Sequence, residues 1–147
     1  MAETVELLLP DLAATDALAA HLAARRRKGD AILLHGPLGA GKTAFARAFL
    51  RAASGDPGLV VPSPTFTLVQ SYDTPEGPVH HFDLWRLDGP EAVGELGWDE
   101  ARADIVLVEW PERLGTLRPD DALEVRLAPR TGDARAAELL GWPGRLR

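Results

Sequence analysis

The chain contains no cysteine. Disulfides, thiolate metal sites and cysteine nucleophiles are therefore excluded. Lysine is nearly absent: of 16 cationic side chains only Lys28 and Lys42 are lysines. Lysine and arginine are not interchangeable, so each lysine marks a place to ask why arginine does not serve. No run approaches the ~20 apolar residues of a membrane span. The first residues, Met1 to Glu6, are acidic and lack the basic start and long apolar core of a signal peptide. The expectation is a cytoplasmic protein without membrane contact. Positive charge is also short, with a net charge of −6. Binding nucleic acid alone, which needs cations against phosphates, is not expected.

The 147 residues, 46% hydrophobic and 26% charged, fit one domain over 1–147. A chain of this length buries roughly 70% of its unfolded surface, so it needs no metal to fold. Strand and helix signals alternate along it. Val5 to Leu9 reads as a strand, and Thr15 as the cap of a helix running to about Arg27. Ala31 to Leu34 is wholly apolar, as a strand buried on both faces should be. A glycine-rich turn and a helix over about Lys42 to Ala53 come next. Thr67 to Ser71 and Val79 to Leu84 read as a hairpin, and Pro90 to Leu96 as a short helix. Ile105 to Val108 is a second apolar run, and Leu123 to Leu127 a late strand. Ala134 to Leu140 suits either a helix or the partner of that strand. The pattern predicts an α/β, P-loop NTPase-like three-layer domain. Its central sheet would be mostly parallel, with an antiparallel hairpin.

Gly36-Pro37-Leu38-Gly39-Ala40-Gly41-Lys42-Thr43 fits G-x-x-x-x-G-K-[ST] at every position, between an apolar strand and a helix. Glycines let the backbone turn tightly and bring N–H groups near phosphate oxygens, and the helix N-terminus adds partial positive charge. Lys42 reaches the β- and γ-phosphates as a compact charge, and Thr43 offers a hydroxyl to Mg²⁺. Glu109 comes directly after the second apolar run, at the strand end where ligands of open α/β sheets bind, and is the expected second metal anchor. As a glutamate rather than an aspartate, it can act through water.

In His80-His81-Phe82-Asp83-Leu84, alternation places Phe82 and Leu84 on one strand face and His81 and Asp83 on the other. Asp83 can ligate metal through water or orient an attacking water. Both histidines read as hydrogen-bonded structural groups. Thr65 and Thr67, after Ser63-Pro64, are candidate sensors of the γ-phosphate.

Together these segments resemble the bacterial TsaE family of small ATPases of tRNA threonylcarbamoyladenosine synthesis. The resemblance rests on Leu38 to Thr43, Ser63 to Val69, His81 to Leu87 and Glu109 to Glu112, in that order, and fades beyond Leu127. Trp85 stands where the family usually has tyrosine. The resemblance implies ATP and Mg²⁺ as cofactors. It assigns the phosphates to Lys42 and the amides of the loop from Gly36, the metal to Thr43 and Glu109, a switch role to Thr65 and a catalytic one to Asp83. Thr15 matches a family threonine near the nucleotide. The implied partners are TsaD and TsaB, with tRNA contacted indirectly, and the implied activity is slow, partner-stimulated ATP hydrolysis.

Rival readings separate on sequence. A GTPase needs N-K-x-D after the loop, and no lysine follows Lys42. A small-molecule kinase needs an acceptor pocket and a lid, for which Leu87 to Asp104 leaves little chain. A nucleotide-gated binding module with negligible turnover stays open, because an isolated P-loop without a positioned arginine is slow by ~10³–10⁵. Arg86 or a partner would supply that arginine. Arg25-Arg26-Arg27-Lys28 reads as a solvated helix end.

Overall fold

Strands buried on both faces must sit at the centre of a sheet, and the two apolar runs do so. In the computed structural model, which describes residues 4–146, β2 (Ala31–His35) lies between β5 (Ile105–Glu109) and β6 (Leu123–Pro129) and pairs with both in parallel. The whole sheet has seven strands in the order β1-β7-β6-β2-β5-β4-β3. β4 (Val79–Asp83) extends the parallel centre beside β5. Antiparallel strands close both ends: β3 (Val69–Tyr72) beside β4, and β7 (Arg135–Leu140) between β6 and β1 (Thr4–Leu9).

The period-2 alternation of each central strand splits the core into two layers. Ile32, Leu34, Ile105 and Leu107 face one side and pack with Leu18, Leu22, Phe45 and Phe49 from α1 (Leu12–Ala23) and α2 (Lys42–Ser54). Leu33, Val106, Val108, Phe82 and Leu84 face the other. They meet Val93 of α3 (Pro90–Gly94), Trp98 of α4 (Trp98–Ala101) and Leu114 of a 3₁₀ segment, Pro111–Leu117. Phe82 and Trp98 meet edge to face at 5.2 Å. The result is a helix–sheet–helix α/β fold of the P-loop type.

Two local readings change, and one open choice is decided. The α1 cap is Asp11, whose side chain accepts from the Ala14 N–H at 2.9 Å. Thr15 lies inside the first turn instead, because Asp11 comes first along the chain and offers the stronger cap. α1 ends at Ala23. Beyond it Arg25 donates to the His21 carbonyl and Arg26 to those of Ala23 and Ala53, so these guanidiniums satisfy helix-end carbonyls. The open choice at the tail falls to strand. β7 is held on both edges, which overrides the helical preference of its alanines. Among the described residues, no helix is long and apolar enough to cross a membrane.

Candidate functional site

The carboxyl ends of β2, β4 and β5 meet at one place. β2 runs directly into the glycine-rich loop, and the register pairs Asp83 of β4 with Glu109 of β5 and Glu109 with Leu34 of β2. Gly36, Gly39 and Gly41 take positive φ of 149°, 79° and 98°, the backbone freedom a loop needs to turn its amides inward. At its base the Pro37 carbonyl accepts from the Ala40 N–H. α2 begins at Lys42 with no side-chain cap, so its first N–H groups are left for an anion.

A cleft of about 400 Å³ opens there, lined by the loop from Leu38 to Ala44 with Ser63, Thr65, Asp83, Trp85, Glu109, Trp110 and Arg135. A larger hollow of about 590 Å³ lies over the outer face of β1, β7 and β6. It gathers no convergent set of polar groups at a strand end, so the cleft is the candidate site.

Lys42 is only 5% exposed. Its Nζ donates to the Gly36 carbonyl and stands 3.5 Å from the centroid of the Trp110 ring. Burial pushes its pKa below the ordinary lysine value, against the pull of Glu109, Glu112 and Asp83. The Trp110 backbone is left-handed at φ 59°, a strained conformation for a bulky residue. That conformation aims the ring back over the loop, where it also meets Trp85 at 4.5 Å.

Thr43 Oγ1 donates to Glu109 Oε1 at 3.1 Å. The other carboxylate oxygen accepts from His81 Nε2 at 2.7 Å, in full burial. His81 Nδ1 is buried without a hydrogen-bond partner, so the ring is held through Nε2 alone. Sequence reasoning kept His81 as a structural histidine. The signal for its contact with Glu109 is that it shares a strand face with Asp83. Asp83, 5% exposed, accepts from Thr65 Oγ1 at 3.3 Å and from the Trp85 N–H at 3.1 Å. Ser63 and Thr65 are 2.8 Å apart through their hydroxyls.

Thr67 bonds Gln70 and is not among the lining residues. Thr15 is also outside the lining, with a buried hydroxyl that has no partner. Arg86 lies over the exposed Phe66 ring at 4.6 Å rather than in the cleft. The arginine that does enter is Arg135, from the tail strand, and no local sequence signal announced it.

Among the described residues, no group of three or more His, Asp or Glu could hold a metal by itself. The hydroxyl of Thr43 and the carboxylate of Glu109 fit Mg²⁺ as hard oxygen donors. Mg²⁺ usually takes one or two protein oxygens, with phosphate and water completing its octahedron.

Residues 9–137 match the family model of the threonylcarbamoyl adenosine biosynthesis protein TsaE. The chain belongs to the TsaE family. It is 39% identical over 122 residues to the tRNA threonylcarbamoyladenosine biosynthesis protein TsaE of Rickettsia felis, covering 82% of this chain and 71% of that one. With the TsaE of Synechocystis it shares 42% identity over 119 residues, 78% and 74% of the two chains. The Bacillus subtilis TsaE is 34% identical over 123 residues, 81% and 73%. The crystal structure of Bacillus subtilis YdiB superposes with a TM-score of 0.78 at 27% identity, covering 99% of this chain and 90% of that one. The TsaE match spans the glycine-rich loop, Asp83, Glu109 and Arg135. It places the chain in the biosynthesis of threonylcarbamoyladenosine in tRNA.

Proposed function

We propose that this TsaE-family chain binds ATP with Mg²⁺ in the cleft and hydrolyses it slowly on its own. TsaD and TsaB would accelerate it within the threonylcarbamoylation of tRNA adenosine 37, with tRNA reached only through them. One observation carries the reading: Lys42, Thr43, Asp83 and Glu109 converge on a glycine-rich loop at the carboxyl ends of parallel strands.

Each side chain then has a physical task. The loop amides from Gly36 to Thr43 receive phosphate oxygens. Lys42 leaves the Gly36 carbonyl for the β- and γ-phosphates, a stronger partner because it is charged. Thr43 and Glu109 would hold Mg²⁺, whose chemistry when bound would be to offset negative charge on the phosphates. His81 keeps Glu109 facing the loop. Asp83 positions the attacking water, and Thr65, already on its carboxylate, tracks the γ-phosphate. Thr15 remains a proposed nucleotide contact through its unpartnered hydroxyl. Slow turnover alone is expected because Arg86 stands outside the cleft lining, while Arg135, which lines it, has Nε and Nη1 on backbone carbonyls. A partner would bring the missing transition-state cation.

The test is ATP turnover with Mg²⁺ for the protein alone and with TsaD and TsaB, beside Lys42→Ala. Stimulation that vanishes in the variant is the expected result. Equal rates with and without the partners would overturn partner gating. Phosphate transfer to a small alcohol rather than water would turn the reading towards a kinase.

A further inference from the structure

We infer that Arg135 is a positioning residue of the phosphate loop, acting on nucleotide through the backbone of Ala40 and Gly41. The inference rests on the cleft being a nucleotide site. A loop that turns its N–H groups inward turns carbonyls outward, and an outward carbonyl needs a donor or water. Ala40 is fully buried, and its carbonyl is satisfied by Arg135 Nε at 2.9 Å, across 95 residues of chain. The same side chain lies along Gly41. A Cβ built on Gly41 would stand 3.2 Å from Nε and 3.8 Å from Cδ of Arg135. The guanidinium therefore braces the last turn of the loop, immediately before Lys42.

The brace is itself held. Nη1 of Arg135 donates to the carbonyls of Gly132 at 3.1 Å and Ala134 at 2.8 Å, both in the β6–β7 turn. Three carbonyls on one planar group fix it against both its own strand and the loop, which an ammonium on a flexible stem cannot reproduce. The backbone under it is anchored too, because Arg135 pairs with Leu9 of β1 and Pro129 of β6. With Nε and Nη1 committed to carbonyls, the side chain acts on the loop shared by all nucleotides. It does not act on the terminal phosphate alone. The tail strand, which carried no site motif, thus supplies one wall of the cleft and the support for its amides.

The experiment measures equilibrium binding of ATP and of ADP, with steady-state kinetics, in the full chain. The variants are Arg135→Ala and Arg135→Lys, with Arg130→Ala as a turn control. The Arg130 side chain donates to the Pro129 carbonyl at the surface, and its backbone N–H bond to Ala134 is kept in the alanine variant. Arg135→Ala should weaken ATP and ADP alike by roughly ten-fold, the scale of one hydrogen bond to a charged group. Low-millimolar guanidinium should recover part of that loss. Arg135→Lys should recover little, and Arg130→Ala should bind as wild type. Three results would overturn the inference: unchanged binding in Arg135→Ala, a loss for ATP alone, or a loss that guanidinium does not relieve. Wild type that binds no adenine nucleotide would sink the site reading and this inference with it. Wild type that binds beside an equally competent Arg135→Ala would sink this inference alone.

Discussion

Thr43 and Glu109 stand 66 residues apart in the chain and 3.1 Å apart in space, hydroxyl to carboxylate. The first residues of α2 and the last residue of β5 therefore share one polar point, with His81 fixing the carboxylate from behind. A carboxylate that is 2% exposed, with two donors in fixed places, is preorganised for a cation.

Glu109→Gln keeps the side chain's shape and an oxygen for one of the two donors but removes the charge. Turnover with Mg²⁺ should fall by roughly 10²-fold, the usual scale for losing one preorganised electrostatic contact. Binding of ADP without Mg²⁺ should change by less than a few-fold. Steady-state turnover and metal-free ADP titration check the pair. A Glu109→Gln protein with wild-type turnover would remove Glu109 from the proposed metal site.

Lys42 leads to a second prediction with an optical readout. Its Nζ sits over the Trp110 ring, which also contacts Trp85. Nucleotide that draws the ammonium to its phosphates ends the cation–π contact, so tryptophan emission should change on adding ADP. Lys42→Ala should bind ADP ~10–100-fold more weakly, as expected for losing a charge-assisted bond. Trp110→Phe should keep binding while losing most of the emission change. An unchanged signal in Trp110→Phe would locate the reporter elsewhere.

Legibility in the sequence tracked locality. Ala31 to Leu34 and Ile105 to Val108 announced buried parallel strands because both faces of each must be apolar, and they occupy the sheet centre. The loop at Gly36 and the carboxylate at Glu109 were readable because each comes at the carboxyl end of such a run. Alternation separated His81 and Asp83 from Phe82 and Leu84, and the two pairs do face different layers. Features that depend on contacts made elsewhere in the chain could not be read. Arg135 to Leu140 is alanine-rich and becomes a strand only because β1 and β6 are there to pair with it. The short helix at Trp98 forms beneath a ring that meets Phe82, a contact no local pattern encodes. Arg135 and Ala40 meet for the same reason, through the sheet order.

The loop's glycines should not be equivalent. A Cβ on Gly36 would stand 2.5 Å from the Leu127 carbonyl oxygen of β6 and 2.9 Å from the Ala40 Cβ, while one on Gly39 would meet nothing within 4 Å. Backbone cannot yield as a flexible side chain can. Gly36→Ala should therefore cost on the order of 3 kcal/mol or more in stability. Gly39→Ala should cost about 1 kcal/mol, from its φ of 79° alone. Chemical denaturation of the two variants measures the difference, and equal losses would mean that the close approach of β6 is not what demands glycine at 36.

His35, the last residue before the loop, gives stability a pH dependence of known sign. Its side chain is 12% exposed and bonded through Nε2 to Glu124 Oε1 at 2.9 Å. Burial first, then Arg126, Arg118 and Lys42, lower its pKa from 6.5 to about 4, against a smaller opposing pull from Glu112. In the fold it is neutral at pH 7 and its Nε2–H donates to the carboxylate. Unfolded, it takes a proton as pH drops below 6.5, while the folded chain refuses that proton until about pH 4. The unfolded state binds more protons over that window, so stability falls as pH falls from 6.5 towards 4 and levels off below. His35→Gln keeps an amide donor and removes the titration. The stability difference between wild type and His35→Gln should therefore shift against wild type between pH 7 and pH 4, by on the order of 2–3 kcal/mol. Denaturation of both proteins across that range reads the shift, and parallel curves would show that His35 takes up its proton equally in the folded and unfolded chain.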